Sequence, residues 1–435
     1  MDTGKLRHCR KIVISQAGRM TAGIIVLSLL LIGCASEQQR SFSTPVTQRH
    51  IEDINQRFQN AGIVQGYVVL DSQGRLELQG EYQYESEVDK AFSIAQTVVG
   101  VRWVSPVTPE HIKVTEWSQC LSNLFSGRQC GPPSIVRISS EGTPPGPIAN
   151  KYALVVGIGK FKNPSIQTLE YASKDAEDMY RYLIDPQEGR FEKEHVILFR
   201  AEDATREAIK HALDEIRQRA QEDDLVFLYF SSHGTPPDKF GGVHIVAYDT
   251  EVKPRERVWQ TSLTEAMLRE FIQEVRAKRF IVVMDACYSN GAYSQIPGFL
   301  PTGGKSLGIE GDEGHGRSRI DMAKRLLGAK DLVIIEDRPQ PSSQPEQTTN
   351  GWGKVLISAS DAGEKSWESN QLHNSFFTHY FVEGLNRYRG SIKEAFDYAE
   401  PLVQRGVKQE KEADQNPQLT PSRRDWNISI AVLTN

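Results

Sequence analysis

Cysteine is scarce, five in 435 residues, so the use of each one becomes a question. No stripe of basic residues interrupts the mild net charge of -5, and without that electrostatic footprint nucleic acid is excluded as an expected partner. No apolar run is long enough to span a bilayer as a stable helix; AGIIVLSLLLIG, residues 22–33, falls short of the ~20 residues that ~30 Å of hydrocarbon demands. No second cysteine lies close to Cys287, which argues against a thiol redox protein, and no His pair stands at a matching spacing near Cys120 and Cys130, which argues against a metal site there. What remains is an average globular composition, 39% apolar and 25% charged, with length for two or three domains.

Lys5, Arg7, Arg10, Lys11 and Arg19 precede the short apolar run, and Cys34 follows it, an order that reads as a removable secretion signal over residues 1–33. Leu31, Ile32, Gly33 and Cys34 resemble the lipobox of bacterial lipoproteins. The resemblance implies cleavage before Cys34 and a diacylglycerol on its sulfur; Ala35 and Ser36 follow with no Asp, which favours the outer membrane. The expected mature chain is lipid-anchored in a bacterial envelope, faces the periplasm, and begins with a polar tether over 34–48. Cys9 leaves with the signal. In an oxidising compartment a local disulfide is the simplest use of Cys120 and Cys130, and Cys287 is left unpaired.

Ile51, Ile54 and Phe58 mark one face of a short helix, and YVVLDSQGRLELQGEY alternates apolar and polar residues across a turn, as a hairpin does. Val88, Ala91, Phe92, Ala95 and Val99 form the apolar face of a second helix, after which GVRWVSP reads as an extended strand. This αββαβ order over 49–115 resembles a BON domain, a small module of bacterial osmotic-stress periplasmic proteins. It implies contact with an envelope surface or a partner, without catalysis. A Gly- and Pro-rich linker over 116–150 separates this module from the rest.

From residue 151 the pattern changes to short apolar runs without alternation, each followed by an amphipathic stretch: YALVVGIG, HVILF, DLVFLYFSS and RFIVVMD carry the runs. Runs apolar on both faces with helices between them predict a parallel sheet covered on both sides, hence an α/β domain. Ser262 and Glu265 have the spacing of a capping box for the helix before RFIVVMD. A long Gly-, Pro- and charge-rich insertion occupies 294–353, with a helical pattern at 320–327, and KVLISAS supplies one more strand.

Ligands of open parallel sheets gather at the carboxyl ends of the strands. Two reactive residues fall there: His233, after DLVFLYFSS, and Cys287, in MDACYS. An imidazole on the same edge as a thiol can take its proton and later protonate a leaving amine. Gly234 leaves room for a substrate backbone.

YFSSHG paired with FIVVMDACYS, in a domain opening with KYALVVGIGKF and YASKDAEDM, resembles the caspase and metacaspase superfamily of cysteine peptidases over 151–435. The expected fold is therefore α/β, a caspase-like, mostly parallel sheet flanked by helices and preceded by the small α+β BON-like domain. The resemblance makes Cys287 the nucleophile, His233 the acid/base, and the backbone N–H groups of Gly234 and Cys287 the oxyanion hole. Asp175, Ser231, Asp249 and Asp285 match the acidic specificity pocket of metacaspases, which implies cleavage after Arg or Lys, since carboxylates pair with a guanidinium and repel an Asp substrate.

The chain departs from the metacaspase pattern at Tyr288, where His is common, in the string SNG that follows, and at Ser232, where Gly usually precedes the histidine. Self-cleavage in the loop after the nucleophile is a habit of the family, and Arg317, Arg319, Lys324, Arg325 and Lys330 are the candidate sites. No cofactor is needed for the chemistry. Calcium activates relatives, but Thr250 stands where a second acidic residue often follows Asp249, so no calcium ligands are assigned. The expectation is a lipid-anchored endopeptidase acting on proteins or peptides with Arg or Lys before the cleaved bond, in contact with the membrane through its anchor and small module. The alternative is an envelope adaptor that keeps the fold as a binding scaffold.

Overall fold

The structure is a computed structural model that describes residues 46–119, 146–286, 351–361, 364–421, 426 and 428–432. Ile54 and Phe58, one helical turn apart, are both buried in α1, Gln48–Asn60. A hairpin follows, Gly66–Leu70 (β1) against Leu76–Tyr82 (β2), with Leu70 opposite Leu76. Asp71 shapes its turn, since Oδ1 accepts from the N–H groups of Gln73 at 2.8 Å and Arg75 at 2.9 Å. The helix α2, Glu85–Val99, buries Val88, Ala91, Phe92, Ala95 and Val99, the face read from the sequence.

The extended return expected at GVRWVSP does not form. Gly100 takes φ 90°, which only glycine adopts cheaply, and Val101–Trp103 then make a single tight turn of 3-10 helix, leaving Val104 as a lone bridge to Leu76. The third strand is instead Ile112–Val114 (β3), parallel to β2, with the short helix α3, Thr115–Gln119, behind it.

The larger region is α/β. Its parallel strands are Lys151–Gly157 (β4), Val196–Arg200 (β5), Leu225–Ser231 (β6), Arg279–Asp285 (β7) and Gly353–Ser358 (β8). Four of the five coincide with the apolar runs read from residue 151 onward and the fifth with KVLISAS. Helix α4, Ala172–Ile184, follows β4, and α5, Arg206–Arg219, follows β5. Between β6 and β7 lie α6, Arg257–Thr261, and α7, Glu265–Glu274. A two-residue strand pair, Glu368–Ser369 (β9) and Asn374–Ser375 (β10), precedes α8, Phe376–Arg387, and α9, Ile392–Lys411. Strand β11, Gln418–Pro421, closes the sheet antiparallel to β8, giving the order β11-β8-β7-β6-β4-β5.

Alternation along the strands splits the core in two. Phe227, Tyr229, Ile281 and Val283 pack with α4, α8 and α9, whereas Val226, Leu228, Phe280 and Val282 pack with α5 and α7. Each such burial stabilises by roughly 1.5–3 kcal/mol, which is why both strand faces are apolar.

The capping box expected at Ser262 is displaced. Thr264 caps α7, its hydroxyl accepting from Met267 N–H at 3.2 Å, while Ser262 closes α6 and turns its hydroxyl toward Thr250. Thr264 wins because α7 begins at Glu265, so only Thr264 reaches the unpaired amides of the first turn. At the other end of the sheet, the buried ammonium of Lys151 donates to the carbonyls of Gly189 at 3.0 Å and Ile430 at 2.9 Å, pinning the first strand to the last described residues.

Candidate active site

Parallel pairing brings the ends of β6 and β7 into step, so that Ser231 lies opposite Asp285, and Gly157 at the end of β4 lies opposite Ser231. His233 is two residues beyond Ser231, and Cys287 two beyond Asp285 in sequence. Cys287 lies outside the described residues, as do Cys34, Cys120, Cys130, Arg317, Arg319, Lys324, Arg325 and Lys330.

His233 is buried, with 5% of its surface exposed. Its Nε2 lies 2.8 Å from the carbonyl oxygen of Gln167, and because a carbonyl only accepts, Nε2 carries the proton. The neutral ring therefore keeps its lone pair on Nδ1, the arrangement of a general base held in one tautomer. Phe161 stacks on the ring, 5.4 Å between centroids and 26° between planes. Burial pushes the His233 pKa down to about 4, against a smaller upward pull from the Gln167 carbonyl, so the imidazole is neutral at physiological pH. Gln167 contributes through its backbone, so no residue type in the sequence signalled it.

Asp175, on the first turns of α4, meets Asp285 across the end of the sheet. Asp175 is fully buried: Oδ1 accepts from Ser375 N–H at 2.9 Å, and Oδ2 accepts from the hydroxyls of Ser375 at 2.5 Å and Ser231 at 3.3 Å. Asp285, 4% exposed, accepts from Thr378 Oγ1 at 2.6 Å and from the hydroxyl of Ser366. Thr378 in turn sits 2.5 Å from the Tyr229 hydroxyl. Burial, and then the charge of Asp285, hold the Asp175 carboxyl well above the usual carboxylate range, and burial raises Asp285 despite its hydroxyl donors. Two carboxyls this close and this dry resist ionising together, and the same field makes the site attractive to a cation.

Asp249 is engaged elsewhere. Its Oδ1 accepts from the N–H of Arg206 at 2.9 Å, at the start of α5, which covers the sheet face opposite to α4. The pocket group of the sequence thus divides: Asp175, Ser231 and Asp285 come together, and Asp249 tethers a helix terminus. In exchange the site gains Ser366, Ser375 and Thr378, all from the segment after β8. Glu368 joins at the margin, its carboxylate accepting from the amides of Glu170 at 2.9 Å and Tyr171 at 2.7 Å, at the start of α4. Hydroxyls and a distant carboxylate carry no sequence signal until the fold gathers them.

Gly157 makes the close approach of α4 possible, since a Cβ there would stand 2.4 Å from the carbonyl of Ala172 and 2.5 Å from the Ala176 side chain. Among the described residues no group of three or more His, Cys, Asp or Glu side chains is arranged to hold a metal, and no helix is long and apolar enough to cross a membrane.

A scan against protein families matches residues 150–426 to the caspase domain, Peptidase_C14. Among solved structures the chain is similar to a protein of Geobacter sulfurreducens, GSU0716, at 16% identity and TM-score 0.39, covering 63% of this chain and 94% of that one. It is also similar to caspase-1 from Spodoptera frugiperda, at 13% identity and TM-score 0.39, covering 70% and 97%. A search of curated proteins finds no match.

Proposed function

The chain belongs to the caspase-domain family, a family of cysteine peptidases that act on proteins, and from that premise we propose that it is an endopeptidase that cuts after Arg or Lys through Cys287 and His233. The observation that carries the specificity is the buried Asp175–Asp285 pair, two carboxyls held by hydroxyls at the strand ends that also lead to His233 and Cys287. A guanidinium or ammonium entering there would neutralise both and gain charge-assisted hydrogen bonds.

In this reading Nδ1 of His233 takes the proton of the Cys287 thiol, and the thiolate attacks the scissile carbonyl. The backbone N–H groups of Gly234 and Cys287 receive the oxyanion of the tetrahedral intermediate. His233 then protonates the leaving amine, and water, deprotonated by the same nitrogen, hydrolyses the thioester. The Gln167 carbonyl keeps the ring in the tautomer that this exchange requires. Asp249, bound at α5, is left out of the pocket.

The rest of the reading extends the sequence. Cys34 would carry the lipid that holds the mature chain at the periplasmic side of a bacterial envelope, the small module would act as a BON-like contact with that surface, and the basic residues 317–330 would be self-cleavage sites. Calcium enters as an activator to be tested, with no ligands assigned.

The deciding experiment is hydrolysis of fluorogenic peptides ending in Arg, Lys or Asp by the chain from Ser36 onward, under reducing conditions, with and without calcium, beside Cys287→Ala. Turnover after Arg or Lys that vanishes in the variant supports the reading; no turnover in any condition turns it toward the scaffold.

A further inference from the structure

The segment that leaves His233 does not return directly to the sheet. Residues 235–261 lie across α2 of the small module, and the contact is buried. Gln96 Nε2 donates to the Pro237 carbonyl at 3.0 Å, Val107 N–H donates to the Lys239 carbonyl at 2.7 Å, and Arg255 donates to the Ser93 carbonyl at 3.3 Å. Lys239, 6% exposed, places its ammonium 2.6 Å from Asp89 and 2.8 Å from Glu85. Burial opposes that charge, but the carboxylates outweigh it and raise the Lys239 pKa. Phe92 of α2 meets Trp259, and Trp117 of α3 meets Phe240, each with ring centroids 6.1 Å apart.

The apolar core of the small module therefore continues without a break into the larger domain, through Phe240, Val258 and Trp259, and it ends on Ile166 and Phe161. Those last two residues flank the two contacts that fix the histidine. Phe161 covers the ring face, and Ile166 precedes Gln167, whose carbonyl holds the ring edge. Phe161 packs at once on the module's core and on the sheet core beneath α5 and α7.

We propose that Phe161 is a positioning residue for His233, and that the small module is the wall that holds it in place. The module then does more than attach the enzyme to a surface: it is part of the histidine side of the site. This rests on the reading of His233 as the acid/base, and the test separates the two. In the full chain from Ser36 onward, Phe161→Ala, Phe161→Leu, Phe161→Tyr and the remote Phe92→Ala would be compared by kcat and KM, and by the imidazole N–H resonance of His233 in histidine labelled with nitrogen-15.

The expected result is a kcat lower by about tenfold or more in Phe161→Ala and Phe161→Leu with KM within about twofold, as loss of orientation rather than of binding predicts. The Nε2–H resonance should exchange faster with water in both, Phe161→Tyr should restore it, and Phe92→Ala should shift it from across the domain contact. An unchanged resonance and kcat in Phe161→Leu and Phe92→Ala would overturn the proposal. If the parent chain hydrolyses nothing, the catalytic reading fails alone, and the resonance still decides whether the module holds the ring.

Discussion

Ser231 and Asp285 face each other as the last residues of two adjacent parallel strands, and the hydroxyl of the one and the carboxylate of the other belong to a single buried cluster around Asp175. Strand register thus fixes where this acidic cluster lies relative to His233, two residues beyond Ser231.

The cluster predicts selectivity by charge. Asp285→Asn keeps the shape and one acceptor oxygen but removes the ion partner, so kcat/KM for Arg peptides should fall by about 100-fold, the scale of losing one buried charge-assisted contact. Steady-state kinetics on matched Arg and neutral peptides would check it; an equal loss on both peptides would mean that Asp285 serves the fold rather than the substrate.

The raised carboxyls predict a pH dependence of binding. Because burial and mutual repulsion raise both carboxyls, a bound cation would favour their ionised forms, so KM for Arg peptides should improve as pH rises through their raised range, and binding should release protons. Calorimetry of an uncleavable Arg peptide in two buffers of different ionisation heat would measure the release.

His233 predicts a pH dependence of stability. Its folded pKa of about 4 lies below its unfolded value near 6.5, so between them the unfolded chain binds more protons and the native state loses stability as pH falls. The contribution is fully present above pH 6.5 and is lost progressively on acidification toward pH 4, about 3 kcal/mol in all at 1.36 kcal/mol per unit. Urea unfolding of the parent and His233→Gln from pH 7 to 4 should show the stability difference between them narrowing by that amount in favour of the variant.

Gly157→Ala should damage the site from behind. The added methyl would collide with the backbone of Ala172, push α4 off the sheet, and carry Asp175 away from Asp285. A destabilisation of about 1–3 kcal/mol is the usual scale of overpacking, and it should come with a larger loss in kcat/KM than Ala153→Gly, on the same strand but far from the cluster.

Most of the sheet was legible because doubly covered parallel strands must be apolar at every position, and DLVFLYFSS or RFIVVMD has no other economical use. The motifs that flank Asp175, Ser231 and Asp285 grouped them, and the fold places the three together at the strand ends. Asp249 was expected among the other carboxylates from its motif, but it lies in the connection after β6, where its carboxylate accepts from the Arg206 amide at the start of α5. GVRWVSP misled because its apolar content is spent on a turn that Gly100 initiates. Ser375 and Thr378 were invisible, being common residues about 200 and 90 positions from the aspartates they bind. The contact between Lys239 and α2 was hidden for the same reason, since the linker composition at 116–150 suggested two independent bodies.

The clasp between the ammonium of Lys151 and the carbonyl of Ile430 has a consequence for the order of synthesis. Strand β4 is the first of its sheet to be made, and its buried ammonium meets the carbonyl of Gly189 early, yet it gains the carbonyl of Ile430 only when residue 430 has left the ribosome. Until then that ammonium lacks one of its carbonyl partners, and the burial of the first residue of β4 is only partly compensated. A nascent chain, or one truncated before residue 430, would therefore carry β4 with an under-paired buried ammonium, and the sheet would gain its full stability only once that last carbonyl is in place.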